Sequence, residues 1–357
     1  MLARMTIQAR GYAALDARTP LVPFAFERRA PGPNDVRIQI LYCGICHTDL
    51  HHSRNDWGSA VYPLVPGHEI VGRVVEVGAA VTRFRVGDAA GVGCMVDSCR
   101  ECASCREGLE QYCEQVATWT YNGKDRATGA RTFGGYSDTI VVDDRFVVKI
   151  PASMDLAATA PLFCAGITTY SPLRHWKVSS VDVQRVGIIG LGGLGHMGVR
   201  FAKALGAEVT VITTSAAKAE DAHRLGADAV LLSTDAAQLA RAKRSFDLLL
   251  DTIPVGHDLA PYLSLLARDR ALVLVGAMTE LAPAFKGNLL VHARRSVAGS
   301  LMGGLAETQE MIDFSAARGI VSDVEVIPIQ QINQAYERML KGDVRYRFVI
   351  DMGSLAK

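Results

Sequence analysis

The stretch VGIIGLGGLGHMG, residues 186–198, decides the fold of this chain. A short apolar run leads into glycines with the spacing G-x-G-x-x-G, and a helical pattern follows them. Glycines at such a strand-to-helix junction allow a tight turn and a close approach of a pyrophosphate to the amino end of the helix. The sequence therefore predicts a dinucleotide site formed by Gly190, Gly192, Gly193, Leu194 and Gly195.

Strand and helix patterns continue to alternate beyond this loop. Short apolar runs predict strands near residues 186–190, 209–213, 229–231, 247–251, 271–275 and 296–299. Six strands with intervening helices predict an α/β fold with a doubly wound parallel sheet, the Rossmann arrangement. Gly206 and Gly226 follow helical patterns, as residues that end helices commonly do.

The end of the second predicted strand bears on the type of nucleotide. A carboxylate that binds the adenine ribose is expected about 20 residues after the glycine loop. The chain instead has Thr213, Thr214 and Ser215 there, with Lys218 just beyond, while Glu208 lies at the opposite end of the strand. Hydroxyl and ammonium groups accommodate a ribose 2′-phosphate, which a carboxylate would repel. This pattern favours NADP(H) over NAD(H), and the alternative for Ser215 is a simple helix N-cap.

The chain before the dinucleotide loop has a different character. Between residues 36 and 150 the short runs VRIQILYC, EIVGRVVEVG, GDAAGVG, TIVVDD and FVVKI predict a β-rich domain. After residue 302 a helix (307–317), the run VEVIPI, a helix (331–340) and the strand RYRFVIDM are too short to form a third domain. We therefore expect a β-rich domain at 1–163, a cofactor domain at 164–301, and a tail at 302–357 that returns to the first domain.

Four cysteines are crowded into the loop 94–114. Cys99, Cys102, Cys105 and Cys113 have the spacing C-x2-C-x2-C-x7-C, which lets four thiolates converge on one structural zinc ion. An iron–sulfur cluster is the main alternative, but the fourth cysteine would then follow after three residues and precede a proline. Ordinary buried thiols are a weaker alternative.

A second candidate metal centre lies in CGICHTDLHHSRNDWGSAVYPLVPGHE, residues 43–69. Cys46 and His68 are possible ligands there, and Thr48, Asp49, His51 and Glu69 accompany them in the same stretch. Zinc with one open position lowers the pKa of bound water from about 15.7 to about 7 and would act similarly on an alcohol. That chemistry suits hydride transfer.

The other cysteines and histidines carry less information. Cys164 stands alone and by itself would more often be a core residue, so its weight depends on the need for a third ligand. Cys43 and Cys94 are interpreted as structural. The histidines at 196, 223, 257 and 292 lie in or beside helical patterns and are interpreted as core or surface residues.

Length and composition limit the function classes. The 357 residues suggest two domains, and 49% hydrophobic with 21% charged residues is typical of a globular protein. With 38 basic and 37 acidic residues, the net charge of +1 gives no indication of nucleic acid or an anionic membrane as partner. The beginning of the chain lacks the apolar core of a secretion signal, and no run reaches membrane-span length. We expect a cytoplasmic protein acting on a small molecule.

Together these motifs resemble a known family. GICHTDLH, NDWG, PLVPGHEIVG, the four-cysteine loop, PLFCAGITTYSPLRHW, GLGGLGHMG and DVRYRFVIDM are similar to the zinc-containing medium-chain dehydrogenase/reductase superfamily. The similarity is to its cinnamyl alcohol dehydrogenase branch, which includes broad-range NADP-dependent aldehyde reductases. It implies a GroES-like catalytic domain and a catalytic zinc bound by Cys46, His68, often Glu69, and Cys164.

The resemblance also implies roles for neighbouring residues. Asp49 would support the metal ligands, Thr48 would pass on the alcohol proton, His51 would end the relay with His52 as the alternative, and His47 would reach the cofactor pyrophosphate. Trp57, Trp119, Leu301 and Met302 are candidates for the substrate pocket, although each is individually more often a core residue. A homodimer is expected, with the strand near 296–302 at its interface. The segment YNGKDRATGARTF, residues 121–133, receives no role.

Two alternative functions remain. One is an NAD-linked secondary alcohol or polyol dehydrogenase of the same superfamily, against which the segment 213–218 argues. The other is a non-catalytic zinc-binding or nucleic-acid-binding protein that uses the four-cysteine loop. Near-neutral charge and the separate set at Cys46, His68 and Cys164 argue against the second.

Overall fold

The structure, a computed structural model, describes residues 6–276 and 279–356. These residues form two compact units, of which the first runs to residue 164 and resumes at residue 303, and the second comprises residues 165–302. Each division lies one residue later than the expected boundary. Cys164 therefore belongs to the first unit, together with the other candidate ligands.

The described residues contain seventeen strands and eleven α-helices. The strands are β1 (Thr6–Ala13), β2 (Val22–Arg29), β3 (Asp35–Gly44), β4 (Ile70–Val77), β5 (Ala89–Val92), β6 (Met95–Asp97), β7 (Thr118–Trp119), β8 (Thr139–Asp143), β9 (Val148–Lys149), β10 (Arg185–Ile189), β11 (Glu208–Thr213), β12 (Ala229–Leu232), β13 (Phe246–Asp251), β14 (Leu266–Leu274), β15 (Ser296–Gly299), β16 (Val324–Pro328) and β17 (Arg347–Asp351). The helices are α1 (His47–Ser53), α2 (Ala103–Arg106), α3 (Leu156–Thr159), α4 (Ala165–His175), α5 (Gly195–Ala204), α6 (Ala219–Arg224), α7 (Ala236–Arg241), α8 (Ala260–Leu263), α9 (Asn288–Val291), α10 (Leu305–Arg318) and α11 (Ile332–Leu340).

The first unit is built on a seven-stranded sheet. Its strand order is β16-β17-β3-β4-β5-β9, and β8 also pairs with β3. The tail strand β17 runs antiparallel to β3, with Ile350 opposite Cys43. The alternating apolar positions of β3 bury Val36, Ile38 and Ile40 in one core, as expected for strands with one face turned inward. This sheet carries the chain into α1, where the first candidate metal ligand lies.

A hairpin at the start of the first unit was missing from the sequence prediction. β1 and β2 pair antiparallel from Thr6 opposite Arg29 to Ala13 opposite Val22. Part of the signal was present, because TIQAR at the start of β1 alternates polar and apolar residues, whereas β2, VPFAFERR, does not.

The second unit has the predicted parallel sheet. The strands lie in the order β12-β11-β10-β13-β14-β15. The chain adds strands on one side of β10 and then on the other, as in the Rossmann arrangement. All neighbouring strands run parallel. The central strands β10 and β13 are almost wholly buried, which fits a parallel sheet covered on both faces. Gly206 and Gly226 follow α5 and α6 with φ of +96° and +108°, which confirms the predicted ends of both helices.

None of the helices in the described part of the chain combines the length and the apolar character that crossing a bilayer requires.

Candidate active site

The first candidate ligand is positioned by the start of α1. Cys46 precedes the helix with extended backbone, φ −117° and ψ 155°. Its backbone N–H donates to Asp49 Oδ2 over 2.9 Å, and the Asp49 N–H donates to the Cys46 carbonyl over 3.1 Å. These two hydrogen bonds fix the backbone from which the Cys46 thiol projects.

Four side chains converge on one point in the first unit. The ligand atoms of Cys46, His68, Glu69 and Cys164 all lie within 4.8 Å of one another, and the two sulfurs are 3.9 Å apart. His68, Glu69 and Cys164 are buried, whereas Cys46 is half-buried. Two thiolates, an imidazole and a carboxylate match the ligands that zinc selects, and Glu69 Oε2 has no hydrogen-bond partner in its buried position. The donor set therefore fits a zinc ion.

The electrostatics of the cluster favour an ionised thiol. Contact with the Cys164 thiol lowers the pKa of Cys46 against the effect of burial, with further help from His68 and the Arg347 guanidinium. The same thiol contact, the Cys94 thiol and burial raise the pKa of Cys164. Cys46 is thus the first of the two to become the thiolate that a metal binds.

Asp49 lies behind the cluster without exposed surface. Its Oδ1 is 2.9 Å from His68 Nδ1 and also accepts the Gly67 N–H, while Oδ2 accepts from Tyr136 over 3.3 Å as well as from Cys46. A carboxylate only accepts, so Nδ1 of His68 carries the proton and Nε2 is the nitrogen available to a metal.

Arg347 was missed by sequence reasoning. It begins β17 with 4% exposure, and its Nη2 contacts Glu69 Oε1. Burial raises the pKa of Glu69, and the charge of Arg347 opposes that effect. The available signal was an arginine at the start of the otherwise apolar run RFVI. Arg347 holds one oxygen of Glu69, which leaves Oε2 as the oxygen able to approach a metal.

The candidate relay histidines lie in different surroundings. His51 Nδ1 is 2.7 Å from Asp56 Oδ2, and its side chain is 30% exposed. His52 Nδ1 is 3.2 Å from the Tyr121 hydroxyl, and burial lowers the pKa of His52. Solvent contact and a carboxylate partner favour His51 as the group that exchanges protons with water.

The candidates for the substrate pocket are divided between the two units, with both tryptophans in the first. Trp57 lies against both relay histidines, with ring centroids 5.3 Å from His51 and 4.8 Å from His52. Trp119, in β7, packs against the core of the first unit. Leu301 and Met302 follow β15 in the second unit, the former 36% exposed and the latter buried.

The segment 121–133 contributes to the surroundings of the metal cluster. Tyr121 is buried with its ring centroid 5.8 Å from that of His68, in addition to its contact with His52. Asp125 binds Arg29 of β2 over 3.0 Å. The segment therefore joins the wall of the cluster to the hairpin, a role that its polar composition did not indicate.

The second cysteine set converges as its spacing predicts. The sulfurs of Cys99, Cys102, Cys105 and Cys113 lie within 4.8 Å of one another. Backbone N–H groups of Cys99 and Cys102 point to the sulfurs of Cys113 and Cys99, both over 3.4 Å. Such donors stabilise thiolates, and four thiolates fit a closed tetrahedral zinc site. Cys94 is in neither ligand group; its sulfur lies 3.9 Å from the Phe163 carbonyl oxygen.

The glycine loop of the second unit follows β10. Gly190 has φ +89°, and a Cβ on Gly195 would lie 2.2 Å from the Gly190 carbonyl oxygen. A Cβ on Gly192 would meet nothing within 4 Å, so its surface stays open. The turn thus requires glycine at two positions and leaves space above the start of α5 for a phosphate.

The 213–218 segment lies beside this loop. Thr213 ends β11 and its Oγ1 accepts the Ser215 N–H over 3.3 Å, while Lys218 Nζ donates to the Leu191 carbonyl over 2.9 Å. Thr214 is exposed, and Ser215 makes no side-chain cap to the short helical turn that follows it. Ser215 therefore occupies the N-cap position of that turn without a cap hydrogen bond from its side chain.

Two family models match the chain. The alcohol dehydrogenase GroES-like domain matches residues 32–152, and the zinc-binding dehydrogenase domain matches residues 193–317. The chain belongs to the zinc-binding alcohol dehydrogenase family.

Individual relatives agree along almost the whole length. The aldehyde reductase YahK of Escherichia coli is 52% identical over 352 residues, covering 98% of this chain and 99% of the relative. The solved cinnamyl alcohol dehydrogenase of Sorghum bicolor has a TM-score of 0.93 at 47% identity, covering 97% and 98% of the two chains. A cinnamyl alcohol dehydrogenase from Helicobacter pylori, solved with NADP(H), has a TM-score of 0.90 at 41% identity, covering 98% and 99%. The resemblance to the cinnamyl alcohol dehydrogenase branch is confirmed.

In this family member the first unit carries four convergent candidate metal ligands, a carboxylate that orients the histidine among them, and a partly exposed histidine nearby. Such an arrangement can activate a carbonyl or an alcohol and exchange its proton with water.

Proposed function

We propose that this protein is a zinc-dependent alcohol dehydrogenase or aldehyde reductase that transfers hydride between NADP(H) and primary alcohols or aldehydes of aromatic, allylic or broad-range type. The observation that carries the proposal is the convergence of Cys46, His68, Glu69 and Cys164, with Asp49 holding the imidazole. The Escherichia coli relative is an aldehyde reductase, which supports the reaction class.

Different residues of the first unit are proposed to bind the metal and to transfer the proton. Bound zinc would supply Lewis-acid polarisation of the carbonyl oxygen. Cys46, His68 and Cys164 would hold it, and Arg347 restrains Glu69 so that one position stays open to substrate. The proposed proton path runs from the Thr48 hydroxyl to the substrate oxygen, with His51 resupplying the proton from water. Bound NADPH would supply the hydride, so one hydride and one proton would convert the aldehyde to the alcohol.

The proposed preference for NADP(H) rests on the residues after β11. Hydroxyl groups at Thr213, Thr214 and Ser215 and the ammonium group of Lys218 would surround the 2′-phosphate, and no carboxylate stands within 213–218. The relative from Helicobacter pylori was solved with NADP(H), which supports the same preference. His47 is proposed to contact the pyrophosphate, and Trp57, Trp119, Leu301 and Met302 the substrate.

The test is the initial rate of cofactor oxidation with cinnamaldehyde, run with NADPH and NADH at equal concentrations. Turnover with NADPH and little with NADH is expected. A preference for NADH would overturn the role of 213–218 and support the NAD-linked alternative. The variant Cys164→Ala serves as the control, because it should abolish turnover while the four-cysteine site keeps its zinc.

We propose a homodimer located in the cytoplasm. β15 is an edge strand of its sheet, so one side of its backbone is available to pair with a second copy. The eight cysteines are free thiols in the structure. Thiols that bind metal must stay reduced, and a reducing compartment such as the cytoplasm keeps them so. Sedimentation equilibrium should give twice the chain mass, and a single chain mass at micromolar concentration would refute the dimer.

A further inference from the structure

A buried carboxylate and a histidine face each other at the end of β13. Asp251, the last residue of that strand, has no exposed surface, and the His257 side chain is 16% exposed. His257 Nε2 lies 2.8 Å from Asp251 Oδ2, which is an ion-pair distance, although the two groups are not aligned for a straight hydrogen bond. His257 is therefore not the ordinary core or surface residue that its position in the sequence suggested.

The contacts of the pair determine its proton count. His257 Nδ1 is 2.9 Å from the Val255 carbonyl oxygen, which only accepts, so Nδ1 carries a proton. Nε2 then faces a carboxylate oxygen, and two acceptors 2.8 Å apart would repel each other. One further proton must therefore lie on Nε2 or on Asp251. Burial raises the pKa of Asp251, while the Ile253 N–H and His257 act in the opposite direction.

The groups around the pair do not compensate the Asp251 carboxylate in place of this proton. Asp251 Oδ1 accepts the Ile253 N–H over 3.1 Å, so the carboxylate also binds the backbone of its own loop. The titratable groups facing the pair are Tyr262 on α8, with its ring centroid 5.9 Å from that of His257, and Asp258 before it. Asp258 Oδ1 accepts a hydrogen bond from the Ala260 N–H over 2.8 Å. Among these groups no second cation compensates the Asp251 carboxylate.

The loop closed by this pair, residues 252–258, begins beside the glycine loop. Thr252 Oγ1 donates to the Ile189 carbonyl over 2.8 Å and lies 3.3 Å from the Gly190 carbonyl oxygen. β10 has β11 on one side and β13 on the other, so the strand order reverses there. Ligands of open parallel sheets bind at such a reversal, outside the carboxyl ends of the strands.

The direction of the dinucleotide follows from this order. The adenine ribose belongs with the residues after β11, and the pyrophosphate belongs with the glycine loop after β10. The remaining half of the molecule, which carries the nicotinamide, then extends toward the β13 side. The loop 252–258 is the segment that the second unit presents there.

We propose that Asp251 and His257 share one proton and act as positioning residues, which fix the loop 252–258 against the glycine loop so that it binds the nicotinamide half of NADP(H). The inference rests on the dinucleotide site proposed above. Loss of the shared proton, or of either partner, releases the loop and weakens binding of that half alone.

The experiment compares two probes by direct binding to the zinc-loaded protein at about pH 7.5, above the phosphate titration near pH 6. NADPH contains both halves, whereas adenosine 2′,5′-bisphosphate lacks the nicotinamide half. The Kd for NADPH therefore reports on both halves, and the Kd for the bisphosphate reports on the adenine half alone.

Two variants separate the shared proton from simple packing. His257→Leu should weaken NADPH binding about tenfold, the effect of leaving a buried polar group unpaired, and leave the bisphosphate unchanged. Asp251→Asn should bind NADPH as the wild type does, because its amide can donate to the neutral Nε2 of His257. His292→Leu, at an exposed histidine of the same unit, is the matched control and should behave as the wild type.

Three results would overturn the proposal: unchanged NADPH binding by His257→Leu, equal loss of both probes, or NADPH binding by Asp251→Asn as weak as that by His257→Leu. Failure of the wild type to bind either probe would instead refute the dinucleotide site itself.

Discussion

Arg347 and Glu69 form a buried ion pair at the edge of the candidate metal cluster. The guanidinium, 4% exposed, contacts one oxygen of a carboxylate that has no exposed surface. The other oxygen, Oε2, lies among the ligand atoms without a hydrogen-bond partner. One carboxylate thus faces both a fixed cation and the other candidate ligands, so Arg347 would limit how far Glu69 could approach a bound metal.

Arg347→Met should therefore damage both stability and catalysis. Removing one member of a buried ion pair leaves an uncompensated charge and costs about 3–5 kcal/mol. The released Glu69 would occupy the position open to substrate, so kcat should fall more than the zinc content does. Arg145→Met, at a half-exposed arginine paired with Asp143, should cost less than about 1 kcal/mol. Denaturant unfolding, zinc analysis and kcat measure the three effects, and an unchanged kcat would refute the role of Arg347.

Asp49→Asn should weaken the catalytic metal site selectively. The amide cannot accept from His68, Gly67, Cys46 and Tyr136 as the carboxylate does, so the imidazole loses its fixed orientation. Loss of such a supporting carboxylate typically lowers metal affinity by about 10–100-fold. Competition with a chelator should show one zinc leaving early and the other leaving as in the wild type. Early loss of both ions would show that the substitution damages the whole unit.

Cys105→Ser should remove the structural zinc. Cys105 is buried among its partners, and a site with three thiolates binds zinc less tightly than one with four. The metal content should fall from two zinc ions per chain to one, with a lower melting temperature. Cys94→Ser is the control, and it should keep both ions because Cys94 belongs to neither ligand group. Retention of two zinc ions in Cys105→Ser would exclude Cys105 as a ligand.

Asp247→Asn should destabilise the second unit in a pH-dependent manner. Burial raises the pKa of Asp247, but the side-chain and backbone hydrogen bonds from Arg185, with the charges of Arg185 and Arg270, outweigh it and lower the pKa. A lowered folded pKa stabilises the protein above the unfolded value of about 3.9, and that contribution disappears as the pH falls through the folded pKa.

The loss in Asp247→Asn at pH 7 should be about 1–2 kcal/mol, because the hydrogen bonds involve charged groups. Calorimetry should show that the variant melts at a lower temperature than the wild type, by the same amount at pH 7 and pH 5. This difference should disappear only below pH 4. Asp182→Asn, at an exposed position, should show no deficit. A deficit that shrinks between pH 7 and pH 5 would assign the effect to another group.

The features that the sequence determined by itself are local. The glycine loop and the four-cysteine loop bring together residues a few positions apart, so spacing alone carries their geometry. The parallel sheet of the second unit was equally predictable, because each buried strand shows as a continuous apolar run. Ser215 was a local question too, because its position suits both a helix N-cap and a phosphate ligand, and the local pattern does not distinguish the two roles.

Tertiary structure decided the rest of the site. Cys46 and Cys164 are 118 positions apart, and Arg347 is 278 positions from Glu69. Nothing in the local pattern of a lone cysteine or a strand arginine identifies its partner. The ion pair exists because β17 returns to lie beside β3, and the Asp251–His257 pair exists because a loop folds back on the strand it leaves. Chemistry that depends on residues close in sequence could be predicted, whereas chemistry that depends on how strands and loops pack was decided only by the fold.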